Sequence, residues 1–187
     1  MTRDAITQLD SGALDLAFVG LPVETASVST RLIRREPFGA VLPADHPLAS
    51  EPEIDLRDLA EDGFVTTPLS AGSALQEVAM RACVDAGFRP PRVVQEITDP
   101  YMILMLVATG VGVALMTSGI AALTPPGTVF VPLTGEPIYM NHGLAWSPAS
   151  GLRRAPGGPH GIGGHSPDSR LGHFRSISKT FFALDCA

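Results

Sequence analysis

Hydroxyl-bearing residues gather in one stretch of this chain, Thr66-Thr67-Pro68-Leu69-Ser70-Ala71-Gly72-Ser73. The apolar run Gly63-Phe64-Val65 ahead of it reads as a strand and Ser73 opens a helix, so the hydroxyls fall where strand hands over to helix. The first N–H groups of a helix have no partner within it, and the dipole places partial positive charge there. Small anions such as carboxylates suit that arrangement. Glu96 and Thr98 form a second place of the same kind, ahead of the helix that Asp99-Pro100 starts. Ligands of open α/β sheets bind beyond the carboxyl ends of the strands, so Gly20-Leu21, after the strand Leu14–Val19, is expected to face both places. The candidate ligand-binding set is Gly20, Leu21, Thr66, Thr67, Pro68, Ser70, Ser73, Glu96 and Thr98. Ser73 alone carries less weight, because serine is the ordinary residue at a helix cap.

Other residues invite chemistry and do not support it. Gly72-Ser73 lacks the full Gly-x-Ser-x-Gly elbow, and neither an HExxH helix nor a P-loop occurs. No enzyme activity, cofactor or metal is expected. His46 beside Asp45 is followed by Pro47, which makes the segment a turn and His46 a loop-fixing residue. Gly110-x-Gly112 imitates part of a dinucleotide fingerprint, but it follows a helix and precedes a strand, the reverse of that motif. Leu115 also stands where the third glycine belongs, so these glycines are structural. His160, His165 and His173 have a spacing that fits no compact ligand motif. Cys83 and Cys186 are far apart and unpatterned, which suits a reducing cytosol better than a disulfide framework.

The totals agree with a buried α/β protein. With 187 residues, 45% of them hydrophobic, the chain is long enough for one or two small domains with a core. No apolar run reaches the roughly 18 residues of a membrane span, and the polar start Met1-Thr2-Arg3-Asp4 does not resemble a secretory signal. A cytoplasmic location is expected. Residues 1–148 carry eight arginines against seventeen carboxylates, a charge of −9, whereas residues 149–187 carry +3. Phosphate repels a body of that sign, which makes it a poor nucleic-acid binder by itself.

The elements that position these residues alternate along the chain. A helix is predicted over Thr2–Ser11, a strand over Leu14–Gly20, and extended chain over Ser27–Leu42. After a helical turn at Ile54–Ala60 comes the strand Gly63–Thr67. The next helix opens with Ser73-Ala74-Leu75-Gln76, a capping box in which Gln76 reaches back to the Ser73 N–H. Leu75, Val78, Ala79, Ala82, Cys83 and Ala86 give it one buried face, and Gly87 with Pro90-Pro91 ends it. The strand Arg92–Ile97 then leads to a helix capped by Asp99 and closed by Gly110. Strands at Val111–Met116, Val129–Leu133 and His142–Trp146 follow. Such alternation predicts parallel sheets with helices on their faces.

Three segments closely resemble one known family, the effector-binding domain of LysR-type transcriptional regulators. They are Gly12-Ala13-Leu14-Asp15-Leu16-Ala17-Phe18, the run from Glu36-Pro37-Phe38 to His46-Pro47-Leu48-Ala49, and Leu106-Val107-Ala108-Thr109-Gly110-Val111-Gly112-Val113-Ala114-Leu115. They occur in the family's order, and the resemblance extends over roughly residues 2 to 146. It implies an α/β, two-subdomain, periplasmic-binding-protein-like fold with the first subdomain incomplete. Residues 1–37 with 127–147 would form the partial first subdomain and residues 38–126 the second. The family's preceding strand, helix and winged helix-turn-helix are not in this sequence, so an N-terminal truncation is expected. The Gly/Pro-rich stretch 148–187 is expected to be a disordered tail where the family has a final helix. The function implied is sensing of a small, anionic effector that shifts subunit arrangement and so modulates transcription. The partners implied are the effector, further copies of the intact protein, and DNA through the helix-turn-helix alone. A transporter solute-binding protein shares the fold and is the alternative.

Overall fold

A computed structural model describes residues 2–23, 25–71, 73–88, 91–148 and 180–181. Its longest element is a strand, β2 (Ser29–Pro43). Over Ser29–Pro37 it pairs antiparallel with β7 (Tyr139–Trp146), and beyond Pro37 with β5 (Ala114–Thr117) on one side and β6 (Thr128–Pro132) on the other. Its burial follows that change of partners: Thr30–Arg35 are exposed, while Pro37 apart, Glu36–Pro43 are buried. β7 pairs in turn with β1 (Leu16–Leu21), again antiparallel, and β8 (Thr180–Phe181) adds a short parallel strand to the other edge of β1.

A further group of strands is joined by parallel pairing. β3 (Gly63–Thr66) lies parallel to β4 (Arg92–Glu96) and reaches β5 through a parallel bridge between Phe64 and Val113. Two backbone bonds of 2.8 Å, from Val65 N to Val113 O and from Val113 N to Gly63 O, hold that bridge. Gly112 permits it, because a Cβ there would fall on the Gly63 carbonyl oxygen. The predicted parallel sheets are therefore corrected to a mixed arrangement. The chain runs out along β2 and back along β7, and neighbouring strands so connected must be antiparallel, which local alternation does not reveal.

Helices pack on both faces. α1 (Thr2–Asp10) buries Ala5 and Leu9 against Ala17, Val19 and Ala145. α2 (Ala74–Asp85) buries Leu75, Ala79, Ala82 and Cys83 in a cluster with Phe38, Phe64 and Leu115. α3 (Pro100–Ala108) buries Ile103, Leu104 and Val107 with Val65, Ala114 and Met116. Phe64 thus joins the α2 cluster and Val65 the α3 cluster, the alternation a strand imposes on successive side chains. Among the described residues no helix is long and apolar enough to cross a membrane.

Some boundaries differ from the sequence reading. β5 starts at Ala114 rather than Val111, because the chain is still turning around Gly110 (φ +75°). Thr128–Pro132 pairs with Gly39–Pro43 and adds Val131 to the α2 cluster. Thr180–Phe181 form a strand within the expected tail. His160, His165, His173 and Cys186 lie outside the described residues.

Candidate functional site

A cavity of about 500 Å³ opens where β5 ends against the crossing strands. Phe18, Arg34, Glu36 and His142 line it from β1, β2 and β7; Asp99–Tyr101, Thr117 and Ile120 line it from the other side. Arg34 and Glu36 share a face because they are two apart on a strand, and His142 is the register partner of Arg34. Glu36 is buried, 8% exposed. It accepts from Arg34 Nε at 2.7 Å, and its other oxygen lies 3.9 Å from His142 Nε2. The Phe18 ring stacks on His142 at 5.5 Å between centroids. The backbone at Gly119, in the 3-10 helix Ser118–Leu123, packs against the same carboxylate. A buried carboxylate is tolerable when it is paired in this way, and the guanidinium keeps N–H groups for a further acceptor. Apolar walls with a few convergent polar groups suit a small molecule. Sequence reasoning missed Phe18, Arg34, Glu36 and His142. The Arg-x-Glu spacing was readable, but not its pairing with a strand more than a hundred residues away.

The hydroxyl-rich stretch is placed differently. Thr66, Thr67, Ser73 and Gln76 are all buried at the carboxyl end of β3 and the start of α2. The Thr66 hydroxyl donates to Gln76 Oε1, and Ser73 Oγ accepts from Gln76 N at 3.5 Å. The reciprocal half of the predicted capping box is not made, because Gln76 is drawn to the buried hydroxyl of β3 rather than back to Ser73. Thr67 is 4% exposed, and its Oγ1 has no hydrogen-bond partner among the described residues. Pro68 is half-buried, and Ser70 is exposed in the single turn Leu69–Ala71. Glu96 is the register partner of Thr66, and Ile97 N donates to Thr66 O at 2.8 Å, but the Glu96 and Thr98 side chains are exposed.

The two helix starts are unequal. Asp99 accepts from Tyr101 N at 2.9 Å and from Met102 N at 3.3 Å, so the first donors of α3 are already used. At α2 the cap takes only Gln76 N. Gly20 sits opposite His142, while Leu21 points to the other face of the sheet. There it lines a shallower cavity of about 430 Å³ with Pro22, Thr30, Leu32, Arg35 and Asn141. The structure therefore brings Thr66, Thr67 and Ser73 together, and it does not turn Leu21 toward them. None of Thr66 to Ser73 lines the larger cavity.

His46, Cys83 and Asp55 have partners or surroundings that serve the fold. His46 Nδ1 accepts from Leu48 N at 3.2 Å and Nε2 lies 3.3 Å from Asp62, which fixes the turn. Cys83 is buried in the α2 cluster, and burial pushes its thiol up to about 11. Hydrogen bonds from Arg57 pull Asp55 down to about 2. Among the described residues, no three His, Cys, Asp or Glu side chains stand where they could hold a metal.

The family model described as the LysR substrate binding domain matches residues 1–155. The chain belongs to this family. The LysR domain is 50% identical over 151 residues to the HTH-type transcriptional regulator ShiR of Corynebacterium glutamicum, covering 81% of this chain and 51% of that protein. It is 37% identical over 122 residues to the transcriptional dual regulator GltC of Bacillus subtilis, covering 64% and 40%. These relatives are transcriptional regulators, not transporter solute-binding proteins, and the chain spans about half the length of the first of them. The BenM effector-binding domain with its effector benzoate superposes with a TM-score of 0.70 at 22% identity, over 79% of this chain and 67% of that one. A Corynebacterium glutamicum OxyR C206 mutant superposes at 0.72 with 22% identity, over 80% and 47%. The LysR domain therefore has the periplasmic-binding-protein-like α/β fold of these effector-binding domains.

Proposed function

We propose that this LysR domain senses a small carboxylate at the carboxyl end of β3 and thereby sets how its parent regulator acts on DNA. One observation carries the site: Thr67 Oγ1 is buried with no partner among the described residues, beside a helix start whose cap takes Gln76 N. Native proteins pair buried hydroxyls, and one placed beside the first N–H groups of a helix suits a ligand acceptor. Thr67, Ser73 and the first amides of α2 hold the carboxylate, with Pro68 and Ser70 on the outer side and Glu96 and Thr98 at the rim. We place the division between subdomains where β2 changes partners at Pro37, and the return along β7. Ligand that favours one arrangement of the two subdomains transmits the signal to further copies of the regulator. The domain carries out no reaction and works in the cytoplasm.

The test is calorimetric titration of the full chain and its Thr67→Val variant with benzoate and succinate. Loss of one hydrogen bond lowers affinity by about three- to tenfold. Equal affinity in both proteins refutes the role of Thr67. A second reading seats the acid group on Arg34 in the larger cavity, favoured by its size and by its lining from both ends of the crossing strands. Arg34→Gln, with Thr67→Val silent, is the result that selects it.

A further inference from the structure

We propose that Gln76 is a ligand-contacting residue whose amide gives the site its preference for a carboxylate, and that Thr66 is the residue that positions it. The proposal rests on the reading that the effector binds at the carboxyl end of β3.

Four buried polar side chains, Thr66, Thr67, Ser73 and Gln76, converge here, yet one hydroxyl–amide bond is the only side chain–side chain bond among them. A hydroxyl can donate to Oε1, and it does so from Thr66; this fixes which end of the amide faces β3. Nε2 then carries two N–H donors with no partner among the described residues. Gln76 is 2% exposed as a whole, and Nε2 is not among its enclosed atoms, so these N–H groups lie at the surface of the site. Thr67 Oγ1 beside it is fully buried and has no hydrogen-bond partner among the described residues. A helix face that otherwise buries Leu75, Ala79, Ala82 and Cys83 has no packing need for an amide at this position.

The unused groups are predominantly donors. The backbone N–H groups of Ala74 and Leu75 precede the first possible bond within the helix. Ser73 Oγ already accepts from Gln76 N, which leaves its proton to donate. Nε2 offers two N–H groups and Thr67 a hydroxyl. A carboxylate, with two oxygens and about four lone-pair directions, matches that inventory, whereas an ammonium would meet the same donors and gain little. Thr66 has spent its proton on Gln76, so it orients the amide instead of touching the ligand.

The experiment is a ¹⁵N nuclear magnetic resonance titration of the full chain with millimolar benzoate and succinate. The Gln76 side-chain NH₂ pair is assigned by through-bond correlation, so no variant has to fold for the main readout. The expected result is that this pair shifts together with the backbone amides of residues 73–76. Thr66→Ser, which keeps the hydroxyl, preserves the response. Thr66→Val frees the amide and weakens binding by about three- to tenfold. If the backbone amides shift and the Gln76 pair stays in place, the effector reading stands and the role of Gln76 is refuted. If nothing in the stretch moves with either probe, the effector reading fails and this proposal fails with it.

Discussion

Gly112→Ala tests a close backbone approach between β3 and the chain leading into β5. The added methyl would lie on the Gly63 carbonyl oxygen and 3.2 Å from Val94 Cγ2. A side chain in its path could rotate away, but the Gly63 carbonyl is held in the bridge between β3 and the approach to β5. The strands must separate, which weakens the two 2.8 Å bonds between Val113 and the pair Gly63 and Val65. Each bond is worth about 0.5–1.5 kcal/mol net, and forcing a methyl into a packed region costs about 1–3 kcal/mol, so the variant loses roughly 2–6 kcal/mol. For a chain of this length, each kcal/mol corresponds to about 2–4 °C, so the melting midpoint falls by roughly 4–24 °C. Gly110→Ala is the control: it has φ +75°, and a Cβ there meets nothing within 4 Å. The left-handed conformation alone costs a non-glycine residue about 1–2 kcal/mol. Scanning calorimetry of both variants decides. A Gly112→Ala midpoint within about 2 °C of the parent, or above that of Gly110→Ala, refutes the close approach and with it the placement of β3 beside β5.

Thr67→Val is expected to leave the melting midpoint unchanged or slightly higher while binding weakens, because it removes a buried hydroxyl that has no partner among the described residues; a loss of more than about 1 kcal/mol would show that the hydroxyl is satisfied in the free domain. Cys83 is expected to resist iodoacetamide at pH 8 until the chain is unfolded, since only the thiolate reacts and burial holds the thiol up near 11; rapid labelling of its peptide in the native state would contradict the packing. Asp55 is expected to titrate at about 2 instead of 3.8. A lowered carboxyl contributes stability above its unfolded value and loses it as pH falls through the folded one, so the contribution of the Asp55–Arg57 pair disappears between about pH 4 and 2; a carboxyl resonance that moves near pH 4 would refute the pair. The chain is also expected to give no sequence-specific mobility shift with promoter DNA at about 0.15 M salt, as residues 1–148 carry −9; a specific shift would overturn the charge argument.

Local chemistry made much of this domain legible in its sequence. Asp99-Pro100 starts α3, and Gly110 ends it, because a cap, a residue without an N–H and a left-handed turn each act within a few residues. The alternation of Phe64 and Val65 and the single apolar face of α2 follow from strand and helix periods alone. Ser73, Thr66 and Thr67 could be expected at a strand end for the same reason. Tertiary structure decided what those groups do. Gln76 left the capping box for a hydroxyl ten residues away, and Thr67 was buried without a partner, both consequences of how α2 docks on β3. It also decided the larger cavity. Glu36 and His142 are separated along the chain by four strands and meet only because β2 and β7 run side by side through the fold. Pairing between distant strands is paid for by burial of whole faces, so no window of neighbouring residues contains it.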